Sequence, residues 1–353
     1  MLSRVEKFEV ALKQTECDAV LVTNLKNIYY LTGFSGTEAT VFISKTRRIF
    51  LTDSRYTLIA KGVVKGFDII ETRDALGEIA KIIGDDKLEK IGFDDQVSYA
   101  YFEMLKRVFA AYKLIAMSSF IENLRMIKDA EEIDTIRKAC QISDQAFLAV
   151  LDFIKPGETT ELAVMNFLDA RMRKLGASGA SFDFIIASGY RSAMPHGVAS
   201  EKVIQTGETL TMDFGCYYNH YVSDMTRTVH VGHVTDEERE IYDIVLRANK
   251  ALIDQAKAGV SRIDFDRIPR QIINDAGYGA YFTHGIGHGI GLDIHEIPYF
   301  GKSSESIETG MVLTDEPGIY LDGKYGVRIE DDLVITETGC EVLTLAPKEL
   351  IVI

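Results

Sequence analysis

Five side chains of the kinds that bind metal ions occur along this chain, each within a short stretch whose neighbours are typical of a metal site. They are Asp213, Asp224, His288, Glu316 and Glu330. Four carboxylates and one imidazole are mostly hard ligands, and two divalent cations can share such a set if two carboxylates bridge them. The pattern predicts a two-metal hydrolase.

The length and charge of the chain limit the kinds of protein that it can be. A chain of 353 residues corresponds to about two domains, and 46% hydrophobic with 26% charged residues is typical of a globular protein. The formal net charge is -14, and no run of Lys or Arg occurs. Since phosphate contacts require clustered basic side chains, this composition argues against nucleic-acid binding.

Three features of the sequence concern its compartment. Residues 1–20 have the pattern of a charged amphipathic helix and lack the apolar core of a signal peptide. No apolar run approaches the roughly 20 residues that span a bilayer. The four cysteines, Cys17, Cys140, Cys216 and Cys340, are widely spaced. We therefore expect a soluble cytoplasmic protein with no membrane partner and with reduced, buried thiols, one disulfide being the alternative.

Residues 1–122 alternate between helical and strand patterns. Helices are expected at residues 4–13 and 56–65, single strands at 18–23, 67–71 and 90–93, and a hairpin at 39–43 and 49–52. The close alternation of the two kinds of element predicts a compact α/β domain that is separate from the rest of the chain.

The second predicted domain, residues 123–353, shows one order of elements twice. Helices are expected at 129–153 and 158–175, followed by strands at 182–188, 209–217 and 222–232. Helices at 236–257 and 263–276 then precede a C-terminal third made of strands. This order indicates an α+β domain and is compatible with an internal duplication.

Asp213 and Asp224 lie on either side of Tyr218-Asn219-His220, which interrupts an alternating pattern. If these three residues form the turn of a hairpin, the two carboxylates lie near each other on one face of paired strands. The alternative is that both are turn or edge carboxylates. The apolar run around Asp213 favours a carboxylate that is paired or bound to a metal, because an unpaired one would be costly there.

All seven histidines lie between His196 and His295, which indicates where the chemistry of the chain is. The glycines around His284 and His288 argue against a helix, and on a strand residues four apart share a face. His295 has the opposite parity, so it requires a bend or bulge to reach the same cavity. For any one of these histidines alone, the alternative is a structural role.

Glu316 and Glu330 lie in two further stretches. Glu316 precedes a proline, which holds its backbone extended. Arg328 and Glu330 share a face if their segment is a strand. Asp331 and Asp332 complete a run of three acidic residues. Such runs are often solvated loops, and we expect no more of these two residues.

Together the motifs resemble those of the pita-bread metallopeptidases, and among them the Xaa-Pro peptidases, aminopeptidase P and prolidase. The resemblance rests on SAMPHGVAS, TMDFGCYYNHYVSDMTRT, FTHGIGHGIGLDIHEIP, LTDEPGIY and GVRIEDD, and on NIYYLTGFSG and FLTDSRY in the first domain. It is greatest with bacterial Xaa-Pro aminopeptidases. It implies a pita-bread (creatinase/aminopeptidase) catalytic domain of class α+β over residues 123–353, preceded by a creatinase-like α/β domain over residues 1–122.

The resemblance implies a role for each of the five ligands. Asp213 would bind one metal, Asp224 and Glu330 would bridge both metals, and His288 and Glu316 would complete the coordination of the second. The family usually uses manganese, and cobalt or zinc in related enzymes. A hydroxide that bridges the two metals would be the nucleophile, with Glu316 as the general base.

The resemblance also implies how the substrate is bound. His196, His284 and His295 match active-site histidines that contact the substrate around the scissile bond and assist catalysis. Arg328 matches an arginine that supports a bridging carboxylate and the substrate. The implied partners are proline-containing peptides and a second copy of the chain in a homodimer. Asp315 departs from the family, which more often has an aliphatic residue at this position.

The sequence leaves the particular peptidase activity open. An Xaa-Pro aminopeptidase, which releases the residue before proline, is the first expectation, and a prolidase that cleaves Xaa-Pro dipeptides is the alternative. A methionine aminopeptidase would lack the first domain, and a creatinase-like enzyme would be expected to lose several ligands. A pita-bread protein that binds a partner without catalysis is a more distant alternative, because such proteins lose ligands by drift.

Overall fold

The computed structural model describes residues 2–84, 86–301 and 303–353. The chain divides into two compact units, Met1–Arg125 and Met126–Ile353. The domain boundary expected after residue 122 stays a prediction. Within the described ranges, no helix is both long and apolar enough to cross a membrane. The four cysteines are free thiols as predicted, but Cys340 is only partly buried.

The first unit contains a six-stranded mixed sheet. Its elements are α1 (Arg4–Leu12), β1 (Ala19–Val22), α2 (Leu25–Thr32), β2 (Thr40–Ser44), β3 (Arg48–Thr52), α3 (Thr57–Val63), β4 (Asp68–Glu71), α4 (Ala75–Ile82), β5 (Lys90–Phe93), α5 (Tyr99–Val108), β6 (Lys113–Ala116) and α6 (Phe120–Arg125). The sheet order is β4-β3-β2-β1-β5-β6. The predicted helices, strands and hairpin are confirmed, but α2, α4, α5, α6 and β6 were not predicted. In α5, for example, the only buried residue is Leu105.

Capping residues set the helix ends in this unit. Ser3 and Glu6 form a capping box at the start of α1, and Asn24 accepts hydrogen bonds from the first turn of α2. Gly33 ends α2 in the left-handed region, at φ 73°, a conformation that favours glycine. Apolar side chains of α4 and α5 pack with side chains of the sheet, which gives the unit its own core.

In the second unit, a pair of helices is twice followed by strands. The first half contains α7 (Ala130–Leu151), α8 (Glu161–Lys174), β7 (Gly179–Ala180), β8 (Ile185–Ser188), β9 (Thr209–Phe214), β10 (Cys216–Tyr218), β11 (Tyr221–Val222) and β12 (Met225–His230). The second half contains α9 (Asp236–Gln255), α10 (Arg262–Asp275), β13 (His288–Gly289), β14 (Glu296–Tyr299), β15 (Val312–Asp315), β16 (Gly318–Leu321), β17 (Tyr325–Arg328), β18 (Asp331–Ile335) and β19 (Cys340–Val342). The predicted order of elements is confirmed, and the internal duplication stays a prediction.

Each half of the second unit has its own apolar core. In the first half, Phe147 of α7 and Leu168 of α8 pack with Met212 of β9, in a sheet of order β12-β9-β8. In the second half, Val245 of α9 packs with Leu313 of β15, in a sheet of order β14-β13-β15-β18-β19. The strands that carry or adjoin the predicted ligands are thus supported by a helix pair in each half.

His230, at the end of β12, is a polar exception within this apolar interior. Its side chain is fully buried, and neither ring nitrogen has a hydrogen-bond partner among the described residues. Its ring packs against Tyr242, with 6.0 Å between the ring centroids. Burial lowers the pKa of His230, and the charge of Glu238 only partly offsets this effect. The ring is therefore neutral in the folded protein.

We expect His230 to make the protein less stable in mild acid. Below the ordinary histidine pKa of 6.5, His230 takes up a proton in the unfolded chain but stays neutral in the folded chain. Protonation therefore favours the unfolded state, and stability falls as pH falls. The free energy of unfolding should fall in both proteins between about pH 7.5 and 5.5. The fall in His230→Phe should be smaller than the fall in the wild type by on the order of 1 kcal/mol. Urea unfolding at both pH values measures this difference. The exposed His233→Phe is the control, and equal pH slopes in all three proteins would contradict the assignment.

Candidate metal centre

Asp213 lies on β9, the strand that enters one hairpin, and Asp224 lies in the link between β11 and β12 on the returning side of that hairpin. Strand β9 pairs antiparallel with β12, and Asp213 faces Thr226, two residues after Asp224. The connection closes through β10 and β11 at Asn219 and His220, whose φ angles are 44° and 72°. Two left-handed residues are typical of the tight turns that join antiparallel strands. The predicted hairpin is therefore confirmed.

The backbone around Asp224 is fixed on two sides. A Cβ atom at Gly215 would lie 1.9 Å from the carbonyl oxygen of Ser223, so only glycine fits where the chain passes this residue. On the other side, the backbone N–H of Asp224 donates to Oδ2 of Asp332 at 2.9 Å. These contacts leave little freedom in the direction of the Asp224 carboxylate.

His288 lies on the short strand β13. The register between β13 and β14 shifts here, because His288 faces Tyr299 whereas Gly289 faces Glu296. The bend or bulge that was predicted so that His295 could reach the same cavity is therefore confirmed, in the form of a bulge. The prediction that His284 shares a strand with His288 is wrong, because β13 begins at His288.

Glu316 and Glu330 flank two strands that pair with each other. Asp315, the last residue of β15, faces Asp331, the first residue of β18. Glu316 follows Asp315 and Glu330 precedes Asp331, so both glutamates lie at the same end of this ladder. The backbone N–H of Glu316 donates to the carbonyl of Ile286 at 2.9 Å, which ties it to the histidine-rich segment.

Arg328 and Glu330 do not share a strand, contrary to the prediction. Strand β17 ends at Arg328, and Glu330 lies in the link to β18. Both side chains nevertheless meet at Thr226, whose hydroxyl donates to Oε2 of Glu330 at 2.6 Å and accepts from Nε of Arg328 at 2.9 Å. The guanidinium of Arg328 also donates to Oδ2 of Asp213 at 2.5 Å.

The five predicted ligands converge on one cleft. One ligand atom from each of Asp224, His288 and Glu330 lies within 4.8 Å of those of the other two. Nε2 of His288 is 3.7 Å from Oδ2 of Asp224 and 3.7 Å from Oε1 of Glu316. Asp213 and Glu316 line the same cleft, which has a volume of about 500 Å³.

The chemistry of these residues fits divalent cations. Oδ1 of Asp213 and Oδ1 of Asp224 are buried without a hydrogen-bond partner among the described residues, and such atoms require a partner. Burial, and then the charge of neighbouring carboxylates, holds the pKa values of Asp224 and Glu330 well above their usual range. Nδ1 of His288 is 3.2 Å from the carbonyl oxygen of Gly289, which leaves Nε2 free to bind a metal.

Comparison with known proteins places this site in a family. Residues 134–337 match the model of metallopeptidase family M24, and residues 4–127 match the creatinase/prolidase N-terminal domain. This chain belongs to metallopeptidase family M24. The predicted pita-bread Xaa-Pro peptidase family and the predicted fold class are confirmed. Membership in this family implies divalent metal ions as cofactors.

The relatives of this M24 peptidase match it over its whole length. It is 38% identical to the Xaa-Pro dipeptidase of Pyrococcus furiosus, over 99% of this chain and 100% of the relative. The structure of an Xaa-Pro dipeptidase from Bacillus anthracis superposes with a TM-score of 0.96 at 44% identity, over 99% of each chain. An X-Pro aminopeptidase from Thermotoga maritima gives a TM-score of 0.91 at 39% identity, over 98% of this chain and 100% of that one.

Three further histidines line the cleft of this M24 peptidase. His196 and His295 are exposed, and the His295 ring lies 4.3 Å from that of His288. His284 is held by the protein, with Nδ1 2.8 Å from the carbonyl oxygen of Gly285 and Nε2 2.8 Å from the hydroxyl of Tyr320. Burial lowers the pKa of His284 to about 4. Its ring is therefore neutral and its tautomer is set by these two contacts.

Tyr320 and the guanidinium of Arg328 were not recognised as partners from the sequence. Nη1 of Arg328 donates to the Tyr320 hydroxyl at 2.9 Å and to the carbonyl oxygen of Pro195 at 3.3 Å. Together with Asp213 and Thr226, these contacts engage every nitrogen of the guanidinium. Arg328 therefore holds Asp213 directly, and Glu330 through Thr226, in place at the M24 site. The alternation along β16 and β17 could have indicated that Tyr320 is near Arg328, since the two strands pair.

The expectation that Asp331 and Asp332 form a solvated loop is wrong. Both side chains are fully buried on β18. Asp331 is paired with Arg227 at 2.8 Å and with Lys348 at 2.5 Å. Burial alone would raise the pKa of Asp331, but these two cations lower it to about 2. Asp332 accepts from Asp224 N–H and from Sγ of Cys140 at 3.2 Å, so both aspartates support the ligand-bearing strands from behind.

Proposed function

We propose that this M24 peptidase is an Xaa-Pro dipeptidase, which hydrolyses the bond before proline in dipeptides with the help of two divalent cations. The observation that carries this activity is the convergence of Asp224, His288 and Glu330 within 4.8 Å, beside Asp213 and Glu316 in one cleft. The relatives from P. furiosus and B. anthracis that bear the name Xaa-Pro dipeptidase favour this specificity over the aminopeptidase expected first.

The five ligands would hold both cations, which we take to be manganese, with cobalt or zinc as alternatives. Asp213, Asp224, Glu316 and Glu330 provide four negative charges when ionised, which balance two divalent cations. His288 provides a neutral imidazole nitrogen. When bound, such cations lower the pKa of a water molecule and polarise the scissile carbonyl group.

Glu316 is proposed as the general base. Its Oε1 lies 3.7 Å from Nε2 of His288 and accepts a hydrogen bond from Oγ1 of Thr314 at 3.4 Å. Burial raises the pKa of Glu316 to about 7. A bound cation would lower this pKa again, so Glu316 would be ionised in the loaded centre and its carboxylate could take up the proton of the attacking water and pass it to the proline nitrogen as the peptide bond breaks.

His196, His284 and His295 are proposed to contact the substrate and to assist catalysis. A dipeptide has a free carboxylate beside the proline, and a dipeptidase must offer it hydrogen-bond donors. Arg328 already uses its nitrogens on Asp213, Thr226, Tyr320 and Pro195. The exposed imidazoles of His196 and His295 are therefore the donors that we assign to this carboxylate, and Arg328 supports the metal ligands.

An Xaa-Pro aminopeptidase is the second candidate. The observation that favours it is the likeness to the T. maritima X-Pro aminopeptidase, at 39% identity and a TM-score of 0.91. An aminopeptidase would share the five ligands and Glu316. It differs from a dipeptidase in admitting residues after proline, so the two candidates are separated by the length of the substrate and not by the metal centre.

The test offers both kinds of substrate to one preparation. Metal-stripped protein is reloaded with Mn2+ and supplied with an Xaa-Pro dipeptide, an Xaa-Pro-Yaa tripeptide and an Xaa-Ala dipeptide as control. We expect rapid release of proline from the dipeptide and slow cleavage of the other two. Preferred cleavage of the tripeptide would establish the aminopeptidase instead, and an absence of turnover would support the non-catalytic binding protein.

Three predictions about the state of the protein are also part of this proposal. They are the preference for manganese, a homodimeric assembly and a cytoplasmic location. Sedimentation velocity of the metal-loaded chain tests the second, and a single species with the mass of one chain would contradict it. Reloading with Mn2+, Co2+ or Zn2+ in parallel tests the first through the relative rates of dipeptide hydrolysis.

A further inference from the structure

The segment between β13 and β14 carries His295 and has no regular secondary structure of its own. We call residues 291–295 the His295 loop. The next residue, Glu296, begins β14 and is buried. His295 and Glu296 are neighbours, yet His295 is exposed in the cleft whereas Glu296 points into the interior. The direction of one side chain therefore depends on how firmly the other is held.

The His295 loop is folded around the Glu296 carboxylate. Oε1 of Glu296 accepts the backbone N–H groups of Leu292 at 2.8 Å and of Asp293 at 3.0 Å. A Cβ atom at Gly291 would lie 2.8 Å from Oε2, so any larger residue there would displace the carboxylate. The carboxylate thus replaces the backbone hydrogen bonds that a loop of this kind lacks.

The second carboxylate oxygen pairs with a lysine that is distant in sequence. Nζ of Lys128 lies 3.1 Å from Oε2 of Glu296, and the side chains of the two residues are 1% and 6% exposed. Lys128 is itself fixed, because its backbone N–H donates to the carbonyl of Gly310 at 2.9 Å. A buried pair of this kind is strongly disturbed when one partner is removed, since the other charge is left without compensation.

Two contacts connect the His295 loop to the metal centre. The His295 ring packs against the ring of the ligand His288, with 4.3 Å between the centroids. The carbonyl of Gly291 accepts the backbone N–H of Val222 at 2.9 Å, two residues before the ligand Asp224. A shift of the loop would therefore move His295 directly, whereas the ligands themselves are held by contacts outside the loop.

From this geometry we infer that Lys128 and Glu296 are positioning residues, which together hold His295 in the substrate-binding cleft. Neither side chain lines the cleft, so each acts through the loop and not on the substrate. The kinetic part of the inference rests on the proposed function. The placement of His295 does not, because it can be observed without turnover.

The experiment uses Lys128→Met, Glu296→Gln and the double variant in the full-length, metal-loaded protein. Glutamine keeps the oxygen that accepts from Leu292 and Asp293, and methionine keeps the length of Lys128 without its charge. A misplacement of about 1 Å near the reacting atoms can cost roughly 100-fold in rate. We expect each single variant to lose on the order of 10- to 100-fold in kcat/KM for an Xaa-Pro dipeptide, and the double variant to lose about as much as one single variant, because the two residues act as one pair.

Two further readouts separate positioning from general damage. Calorimetric titration with Mn2+ should give wild-type affinity in all three variants. In the Zn2+-loaded, histidine-labelled chain, the NMR resonance of His295 should move in the single variants while that of His230 stays in place. His295→Gln assigns the resonance, and Lys106→Met with Glu103→Gln removes an exposed ion pair on α5 as the matched control.

Three outcomes would overturn the inference. The first is wild-type kinetics with an unmoved His295 resonance in the single variants. The second is a parallel loss of metal affinity and displacement of all histidine resonances, which would mean that the pair only maintains the fold. The third is a double variant whose loss is the product of the two single losses, which would mean that Lys128 and Glu296 act independently and not as a pair. If the wild type fails to cleave any Xaa-Pro peptide, the proposed function fails, while the resonance of His295 still decides this inference.

Discussion

Replacement of Glu316 by Gln is expected to reduce kcat for Xaa-Pro dipeptides by on the order of 10²- to 10⁴-fold. The amide has nearly the same size but cannot take up the proton of the attacking water. It is also a weaker metal ligand than a carboxylate, so the expected loss includes any change in occupancy. Initial rates at saturating Mn2+ measure the effect, and metal analysis of the same samples separates lost base catalysis from lost metal.

The matched control for this experiment is Glu308→Gln, at an exposed glutamate in the same half of the second unit. It should turn over dipeptide at the wild-type rate. If Glu316→Gln also retained wild-type turnover with full metal occupancy, Glu316 would not be the general base, and the assignment of the remaining ligands to a catalytic centre would have to be revised.

Replacement of Arg227 by Met should lower the free energy of unfolding by about 3–5 kcal/mol. Arg227 is 1% exposed and pairs with Asp331 at 2.8 Å. It also donates to the backbone carbonyl of Glu330 at 2.6 Å and to that of Ala346 at 2.9 Å. Methionine fills much of the same volume but leaves these buried acceptors without a donor. Urea unfolding of metal-free protein measures the change.

Arg267→Met is the control for this prediction, because Arg267 pairs with Asp264 on the surface of α10. An exposed pair of this kind contributes at most about 1 kcal/mol. Equal stability of the two variants would contradict the view that Arg227 ties the link after β17 to strand β12. In that case Lys348, the second cation beside Asp331, would have to carry the pairing alone.

The sequence predicted well those features that depend on local pattern. The long helices, the hairpin around Asn219 and His220, and the irregular pairing of β13 with β14 next to His295 follow from periodicity, turn chemistry and parity, and the structure has all of them. Four carboxylates in or beside apolar strands also pointed to one metal centre, because burial of an unpaired charge is costly wherever it occurs.

The failures arose where long-range contacts decide the environment. Asp331 and Asp332 look like a solvated acidic run, and only Arg227 and Lys348, which are distant in sequence, make their burial possible. His284 has strand-like spacing to His288, but the strand begins too late to include it. Nothing in the sequence around Lys128 indicated its pairing with Glu296, since the two residues are 168 positions apart. Charge pairing across such distances leaves no periodic trace in the sequence.

The predicted ligands are divided between the two halves of the second unit. Asp213 and Asp224 come from the half built on α7 and α8, whereas His288, Glu316 and Glu330 come from the half built on α9 and α10. A metal ion bound by both sets would stabilise the association of the two halves. The site forms only when the halves meet, so the free energy of metal binding adds to that of their association. Neither half alone holds a complete centre, so peptide hydrolysis would begin only after the two have docked, and partly folded chains would be unable to cleave peptides.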